Sequence, residues 1–201
     1  MTTCTKCDLH KSCKNPCVWG CGNTDASVML VGEAPGYHED TKQTPFVGQA
    51  GQLLDHILNK LGVERDDLYM TNLIKCRPPQ NTLPKKKDEL HEIVSACIPY
   101  LVEEVSRVKP AVIVLLGGVP LAQLTKHRYI TRCEGMQVEV SPLLFPDVKV
   151  VSCFHPAYVL RSPSKESNLA RALHKAFDMA GIKVTPKGVE AGRFDYEISG
   201  I

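Results

Sequence analysis

The segment 32–40 of this 201-residue chain reads GEAPGYHED and follows the apolar stretch 28–31. Glu33 and Glu39 therefore stand just beyond a predicted strand, where an open α/β sheet builds its ligand crevice. Carboxylates held there can exchange protons with a bound molecule or orient a water. A tight turn before a helix would explain the glycines alone. Few folding constraints ask for so many polar residues, so the pattern favours a site.

Two further polar segments, 72–79 and 154–161, also follow apolar stretches. The first begins with Asn72, and the second contains His155 in the sequence FHPAY. Because the carboxyl ends of parallel strands meet at one edge of a sheet, all three segments should converge there. The sequence therefore predicts one site that combines carboxylates, an amide and an imidazole.

The elements that must position this site alternate along the chain. We predict strands at 27–31, 67–74, 111–116 and 148–152, a small antiparallel excursion at 137–140, and helices at 52–61, 86–108, up to 124 and 166–180. The continuous apolar run 111–116 is typical of a strand buried on both faces. Strands that alternate with helices indicate a three-layer α/β/α sandwich around a central, mainly parallel four-stranded sheet.

Composition limits the class of protein. The net charge is +2, so any nucleic-acid binding must come from local basic patches rather than from global basicity. No apolar run approaches a membrane span, and the first residues lack a signal-peptide core. We expect a soluble, cytoplasmic monomer with one domain over 1–201, a cysteine-rich segment over 1–26 and a loose tail over 184–201. Nine cysteines inside a cell are expected to be free thiols or metal ligands.

Four motifs occur together in an order that resembles the uracil-DNA glycosylase superfamily, most closely its iron–sulfur-containing family 4. They are GEAPG with the trailing Glu39-Asp40, the stretch PFVG at 45–48, Thr71-Asn72 with KCRPP at 75–79, and HPAY at 155–158. The resemblance extends from Cys4 to about Ala180. It implies an enzyme that extrudes uracil from DNA, hydrolyses its glycosidic bond and leaves an abasic site.

The resemblance also implies a role for each side chain. Phe46 would stack on the extruded base, and the Asn72 amide would donate to and accept from the uracil edge. His155 would stabilise the charge that develops on uracil O2 as the base departs. Glu33 and Glu39 are the candidates for stabilising the cationic sugar and orienting the water, and the sequence does not divide these roles. Glu39 would also lie near C5 of uracil and help to exclude thymine.

The pocket wall and the DNA-facing surface follow from the same resemblance. Gly32 and Ala34 would line the base pocket, and Ala34 stands where family 1 enzymes have a catalytic aspartate. Backbone N–H groups at a helix N-terminus and a wedge loop would contact DNA, mainly through phosphates. The candidates for these contacts are Gly48, Gln49, Ala50, Leu160 and Arg161.

The cysteines predict a metal site. By resemblance the ligands are Cys4, Cys7, Cys76 and Cys97, and the expected cofactor is a structural [4Fe–4S] cluster. Tetrahedral zinc is the alternative that four thiolates alone would also suit. Three more cysteines compete as ligands, so a different fourth ligand or a second metal stays open: Cys13, Cys17 and Cys21.

Two rival functions keep some of these features. One is a DNA-binding module of the same fold that recognises uracil without turnover, serving replication or repair. Covalent trapping on DNA would need a histidine in a basic loop, and the nearest one, His91, falls in a predicted helix. The other rival is a cysteine-rich interaction module that binds an ordinary nucleotide. The chain has no Gly-Lys-Ser/Thr phosphate loop and no Gly-x-Gly-x-x-Gly fingerprint to support it.

Overall fold

A computed structural model describes residues 4–185 of the chain. This range contains five strands and seven α-helices. The strands are β1 Cys21–Gly22, β2 Val28–Gly32, β3 Tyr69–Asn72, β4 Val112–Leu116 and β5 Lys149–Cys153. The helices are α1 Tyr37–Lys42, α2 Gln49–Leu61, α3 Lys87–Val108, α4 Gly118–Leu124, α5 Ile130–Cys133, α6 Pro156–Arg161 and α7 Glu166–Met179.

The strands form one sheet in the order β1-β3-β2-β4-β5. The four predicted strands β2, β3, β4 and β5 pair in parallel, which confirms the parallel α/β sheet. The predicted count of four was too low, because β1 adds a fifth, antiparallel strand with Cys21 opposite Met70. A two-residue strand is too short to show a period of two. Strand β1 is held in place by contacts with residues distant in sequence, because the N–H of Asn23, just after β1, donates to the Leu68 carbonyl, just before β3, at 3.0 Å.

Two apolar cores lie on opposite faces of the sheet and make the three layers. Alternate residues of β2 and β4 point to opposite faces, and both sets are fully buried, as the continuous apolar runs predict. One face packs against α2, α6 and α7, and the other against α3 and α4. Helix α3 continues through Pro99 as a single element.

The remaining predictions differ in detail. The excursion at 137–140 is limited to two isolated bridges, Thr125 with Val140 and Gln137 with Val151. Val184, in the predicted loose tail, is partly buried and packs against the core that contains α2, α6 and α7. The part of the tail beyond residue 185 lies outside the described residues. Within residues 4–185, no helix is both long enough and apolar enough to cross a membrane.

Candidate active site at the sheet edge

A cavity of about 830 Å³ opens at the carboxyl edge of the sheet, where the three polar segments were predicted to converge. Its wall combines residues that follow β2, β3 and β5. Nearly all of the candidates from the sequence line it, namely Glu33, Ala34, Glu39, Phe46, Gly48, Gln49, Ala50, Asn72, His155, Leu160 and Arg161. The three polar segments therefore converge at the carboxyl edge of the sheet, and that they form the functional site stays a prediction.

Gly32 lies behind this wall, where two predicted base-contacting side chains meet. A Cβ atom at this position would lie 2.4 Å from Asn72 Oδ1 and 2.6 Å from the Phe46 ring. Only glycine allows both side chains to approach the strand so closely. The amide and the aromatic ring are thereby held against each other at the base of the cavity.

Asn72 is buried, yet its amide faces the cavity rather than the protein. It ends β3 and has 3 % of its surface exposed. Among the residues that the structure describes, no hydrogen bond engages its side chain. An amide at the wall of a cavity, with no protein group bonded to it, is available to a ligand that both donates and accepts.

His155 is the N-cap residue of α6, and its neighbours fix which ring nitrogen carries the proton. The Ala157 N–H donates to Nδ1 at 3.1 Å, so Nδ1 must be the unprotonated acceptor. Burial, together with the nearby Arg161 charge, lowers the pKa of His155 to about 4, against an opposing contribution from Glu39. The ring is therefore neutral near pH 7 and has Nε2–H available as a donor.

The imidazole is also packed from two sides. The Phe46 ring lies nearly parallel to it, with centroids 6.2 Å apart and planes at 29°. On the other side Gly117 has φ of +98°, and a Cβ there would lie 3.0 Å from the His155 Cβ. The histidine thus has little freedom to leave the cavity wall.

The two glutamates have different surroundings. One Glu39 carboxylate oxygen accepts from the N–H groups of Val47 at 2.9 Å and Gly48 at 2.7 Å, and the other accepts from Gly36 at 3.2 Å. This carboxylate joins the N-termini of α1 and α2. No side-chain hydrogen bond engages Glu33 within the described residues, and burial raises its pKa. The Glu39 carboxylate is thus bound by backbone N–H groups, whereas the Glu33 carboxylate is free of such bonds among the described residues.

Phe46 is held in a backbone conformation that only glycine adopts easily. Its φ is +55°, a left-handed value that costs a larger residue about 1–2 kcal/mol. The backbone turns so tightly here that a Cβ at Gly51 would lie 1.9 Å from the Phe46 carbonyl oxygen. The surrounding structure must supply contacts that keep the ring in this position.

The outer rim contains the predicted DNA-facing residues. Leu160 has 44 % of its surface exposed, and Arg161 is also exposed at the end of α6. The N–H of Gly48 is already engaged by Glu39, so it is not free to bind an anion. The helix N-terminus can still offer the N–H groups of Gln49 and Ala50.

Several cavity residues were not singled out from the sequence. They are Pro35, Tyr37, His38, Pro78, Asn81, Gly117, Gly118, Ile130, Thr131, Phe154, Ala157 and Tyr158. Gly117 and Gly118 directly follow β4, so the rule that located the other segments would also have found them. Ile130 and Thr131 begin α5, which follows α4 rather than a strand, and nothing in the sequence marks them.

The predicted metal ligands lie away from the cavity. Cys76 and Cys97 belong to the core that packs against α3 and α4, and Cys7 packs against that core. Cys4, Cys76 and Cys97 are buried and Cys7 is partly buried. The thiols are close enough to influence one another: burial is the main cause that raises the pKa of Cys97 to about 11, and Cys7 and Cys4 contribute to the same shift. Burial also raises the pKa of Cys76, where Cys97 again contributes.

Two of the competing cysteines lie beside Cys76. The Cys17 N–H donates to its sulfur at 3.3 Å, and the Cys13 thiol hydrogen-bonds to it. Cys21 lies apart from this group, on β1. Within residues 4–185, no three His, Cys, Asp or Glu side chains are arranged to hold a single metal ion.

Asp40 links the cysteine-rich segment to α1, the helix that carries Glu39. The Asp40 carboxylate is almost fully buried and accepts from the N–H groups of Lys14 at 2.9 Å and Asn15 at 2.8 Å. The Asn15 amide donates back to the Asp40 carbonyl at 2.5 Å. Because Asp40 follows Glu39 on α1, the order of this segment is linked directly to the cavity wall.

Comparison of the sequence with known proteins identifies relatives of this chain. Residues 19–177 match the family described as the Uracil DNA glycosylase superfamily. A Type-4 uracil-DNA glycosylase from Archaeoglobus fulgidus is 40 % identical over 187 residues, which cover 90 % of both chains. Type-4 uracil-DNA glycosylases from Pyrobaculum aerophilum and Thermotoga maritima are 39 % and 38 % identical, over 87 % and 81 % of this chain and 88 % and 81 % of theirs.

Proposed function

Because this chain belongs to the uracil-DNA glycosylase superfamily, we propose that the cavity at its sheet edge is where uracil is excised from DNA. The protein is a monofunctional glycosylase that hydrolyses the N-glycosidic bond and leaves an abasic site. One observation carries the assignment of the site. A buried amide without partners, an aromatic ring and a neutral histidine all face the same cavity.

Recognition of the base begins with its removal from the duplex stack, because its reactive bond is inaccessible there. The Phe46 ring offers an apolar face that replaces the lost stacking. The Asn72 amide then satisfies its own hydrogen bonds on the uracil edge, accepting from N3–H and donating to O4. Cytosine presents an acceptor and a donor at these two positions, so it cannot satisfy the same orientation of the amide.

Bond cleavage leaves the bonding electron pair on the departing uracil, with negative charge at O2. His155 donates from Nε2–H to this oxygen and stabilises the anion without transferring a full proton. A neutral imidazole suits this role because its donor is fixed before the reaction begins. The positive character left on the sugar is met by the Glu33 carboxylate.

Glu33 completes the hydrolysis by orienting a water toward the anomeric carbon of the sugar. Burial raises its pKa toward the range in which a carboxylate accepts a proton effectively. The water oxygen forms the new bond to carbon, and its released proton passes to the carboxylate. Glu39 remains bound to backbone N–H groups and acts as part of the wall, so it does not share this step.

DNA binding is proposed to depend mainly on phosphate contacts around the rim. The N–H groups of Gln49 and Ala50 point from a helix N-terminus, and Arg161 supplies a positive charge nearby. Leu160, exposed on α6, takes the space that the extruded nucleotide leaves. We propose that the protein acts on DNA inside the cell as a monomer, on single or double strands that contain uracil.

The activity is tested with two end-labelled oligonucleotides that differ only in one uracil or thymine. The protein is incubated with each, and the products are then treated with hot alkali, which breaks the strand at abasic sites. We expect breaks only at uracil and none before alkali. Uracil-dependent binding without alkali-labile sites would instead identify an inactive DNA-binding module, and a shift that survives denaturation would identify covalent trapping.

Asn72→Ala should lower the single-turnover rate of uracil excision roughly 10- to 100-fold. The reason is that one uracil edge is left without partners in a desolvated pocket, which costs about 1–3 kcal/mol. Rates are measured with excess enzyme on a uracil-containing single strand. Asn59→Ala is the control, because Asn59 is exposed on α2. A rate for Asn72→Ala equal to that of Asn59→Ala would remove Asn72 from base recognition.

We also propose that Cys4, Cys7, Cys76 and Cys97 hold a [4Fe–4S] cluster. The residues fit this group in donor type, since all four are thiols in one buried region. In a cluster each thiolate binds a separate iron, whereas zinc needs four sulfurs about 2.3 Å from one point. The chemistry of the cluster here is structural: it stabilises the N-terminal segment that Asp40 joins to the active-site loop.

The purified protein should contain about four irons per chain and absorb broadly in the visible range. Cys97→Ser should lose most of this iron, because one of the four anchoring thiolates is missing. Cys133→Ser is the matched control, since Cys133 is also buried but lies on α5 and is not one of the four proposed ligands. Iron and acid-labile sulfide are measured for each protein. One zinc per chain without iron would contradict the cluster.

A further inference from the structure

Arg65 reaches from behind the cavity into the backbone of the loop that carries Phe46. It begins the 3₁₀ turn Arg65–Asp67, which lies between α2 and β3. Its Nη1 donates to the Phe46 carbonyl at 2.8 Å, and its Nη2 donates to the Pro45 carbonyl at 2.5 Å. Nη1 also donates to the Asp55 carboxylate at 2.9 Å, so the guanidinium is itself held by α2.

This geometry uses properties that only an arginine has. The two terminal nitrogens of a planar guanidinium are fixed relative to each other, so they can hold two successive carbonyl groups at once. A lysine ammonium is a point charge on a flexible stem and cannot fix two acceptors in this way. The residue held by the fork is Phe46, whose positive φ aims the ring at Gly32 and His155.

We propose that Arg65 is a positioning residue for uracil excision, acting through the Phe46 ring. It stabilises the left-handed backbone at Phe46 and so fixes the aromatic face on which the extruded base stacks. The inference rests on the proposed function of the cavity. Arg65 itself does not line the cavity and touches neither the base nor the sugar.

The test is a double-mutant cycle on single-turnover excision at saturating enzyme. Arg65→Lys should lower the rate about 10- to 100-fold, because a small misplacement of a positioning group is costly. Phe46→Leu should also lower it, since the stacking face is lost. If Arg65 acts through the ring, adding Arg65→Lys to Phe46→Leu should lower the rate less than threefold further. A loss equal to the product of the two single effects would overturn the proposal.

Two controls separate positioning from general stability. Arg107→Lys alters an arginine on the surface of α3, whose Nη2 donates to the Tyr69 hydroxyl at 2.6 Å, and it should keep the wild-type rate. Binding to an abasic oligonucleotide, which has no base to stack, should be unchanged in Arg65→Lys. Wild-type excision by Arg65→Lys, or an equal loss of abasic-site binding, would also overturn the proposal.

The assay also distinguishes this inference from the function on which it rests. If the wild-type protein excises no uracil, the proposed function fails. If the wild type is active but the cycle is multiplicative, only the role of Arg65 fails. Thermal unfolding identifies a temperature at which every variant is folded. Arg65→Gln, which keeps one planar N–H₂ group, serves as the second variant if Arg65→Lys unfolds below that temperature.

Discussion

Replacement of His155 by alanine should lower the single-turnover rate of uracil excision about 10²- to 10³-fold, the usual effect of removing one preorganised donor at a developing anion. DNA binding should change little, because the histidine acts on charge that appears only in the transition state. Excess enzyme and rapid quenching measure the chemical step directly. A binding constant from the same titration shows whether affinity was kept.

The comparison protein for this experiment is His91→Ala. His91 is exposed on α3, on the opposite face of the sheet from α6, and its replacement should leave the rate unchanged. If His155→Ala excised uracil as fast as His91→Ala, the imidazole would have no part in stabilising the leaving group. A loss confined to DNA affinity would instead assign His155 to binding.

The charge state of His155 gives an independent test of its role. Because burial lowers its pKa to about 4, the ring should stay neutral well below pH 6.5, where an ordinary histidine gains its proton. The unfolded chain takes up that proton first as the pH falls. The contribution of this group to stability is therefore lost between about pH 6.5 and 4. Ring ¹⁵N chemical shifts, assigned by difference from His155→Ala, should report Nε2–H at pH 6.

The convergence of the polar segments could be predicted from the sequence. The continuous apolar run that forms β4 is typical of a strand buried on both faces, and in the structure every residue of β2 and β4 is buried. Parallel strands place their carboxyl ends at one edge of the sheet, so the residues that follow them were expected to meet there. Glu33, Asn72 and His155 do line one cavity, and their roles in it stay a prediction.

The division of labour inside the site could not be derived in the same way. Glu33 and Glu39 have the same functional group, and only the N–H groups of Gly36, Val47 and Gly48 distinguish them. Those N–H groups belong to separate turns, and their meeting depends on how α1 and α2 pack. The role of Arg65 was hidden for the same reason, because its acceptors are backbone carbonyls that have no side-chain signature.

The buried ion pair was equally invisible to pattern analysis. Lys75 belongs to the KCRPP motif, and Glu104 lies on α3 as a single carboxylate that no motif marks. In the structure Lys75 Nζ donates to Glu104 Oε2 at 2.5 Å, with side chains 1 % and 0 % exposed. Thr71 Oγ1 donates to the same carboxylate at 2.8 Å. The Gly20 N–H also donates to this carboxylate, at 2.7 Å. The network therefore connects Gly20, just before β1, with Thr71 on β3 and Glu104 on α3.

Lys75→Met should therefore destabilise the protein by about 3–5 kcal/mol, the typical cost of leaving one partner of a buried pair without its counter-charge. Thr71 and Gly20 would still donate to Glu104, but neither neutralises its charge. Equilibrium urea unfolding measures the loss, with the metal content of each variant determined first. The matched control is Lys60→Met, since Lys60 and Glu166 lie 2.8 Å apart with side chains 56 % and 34 % exposed. That surface pair should contribute no more than about 1 kcal/mol.

A second substitution separates charge from packing. Glu104→Gln removes the carboxylate charge and keeps one of the two acceptor oxygens, which can accept from the Gly20 N–H, while the new N–H₂ group can donate to the Thr71 hydroxyl. If the cost of Lys75→Met comes from an uncompensated buried charge, adding Glu104→Gln should restore at least half of the lost stability. If the double variant is as unstable as the sum of the two singles, the pair is held by shape alone. A loss in Lys75→Met no larger than in Lys60→Met would show that the buried carboxylate has found another way to lose its charge.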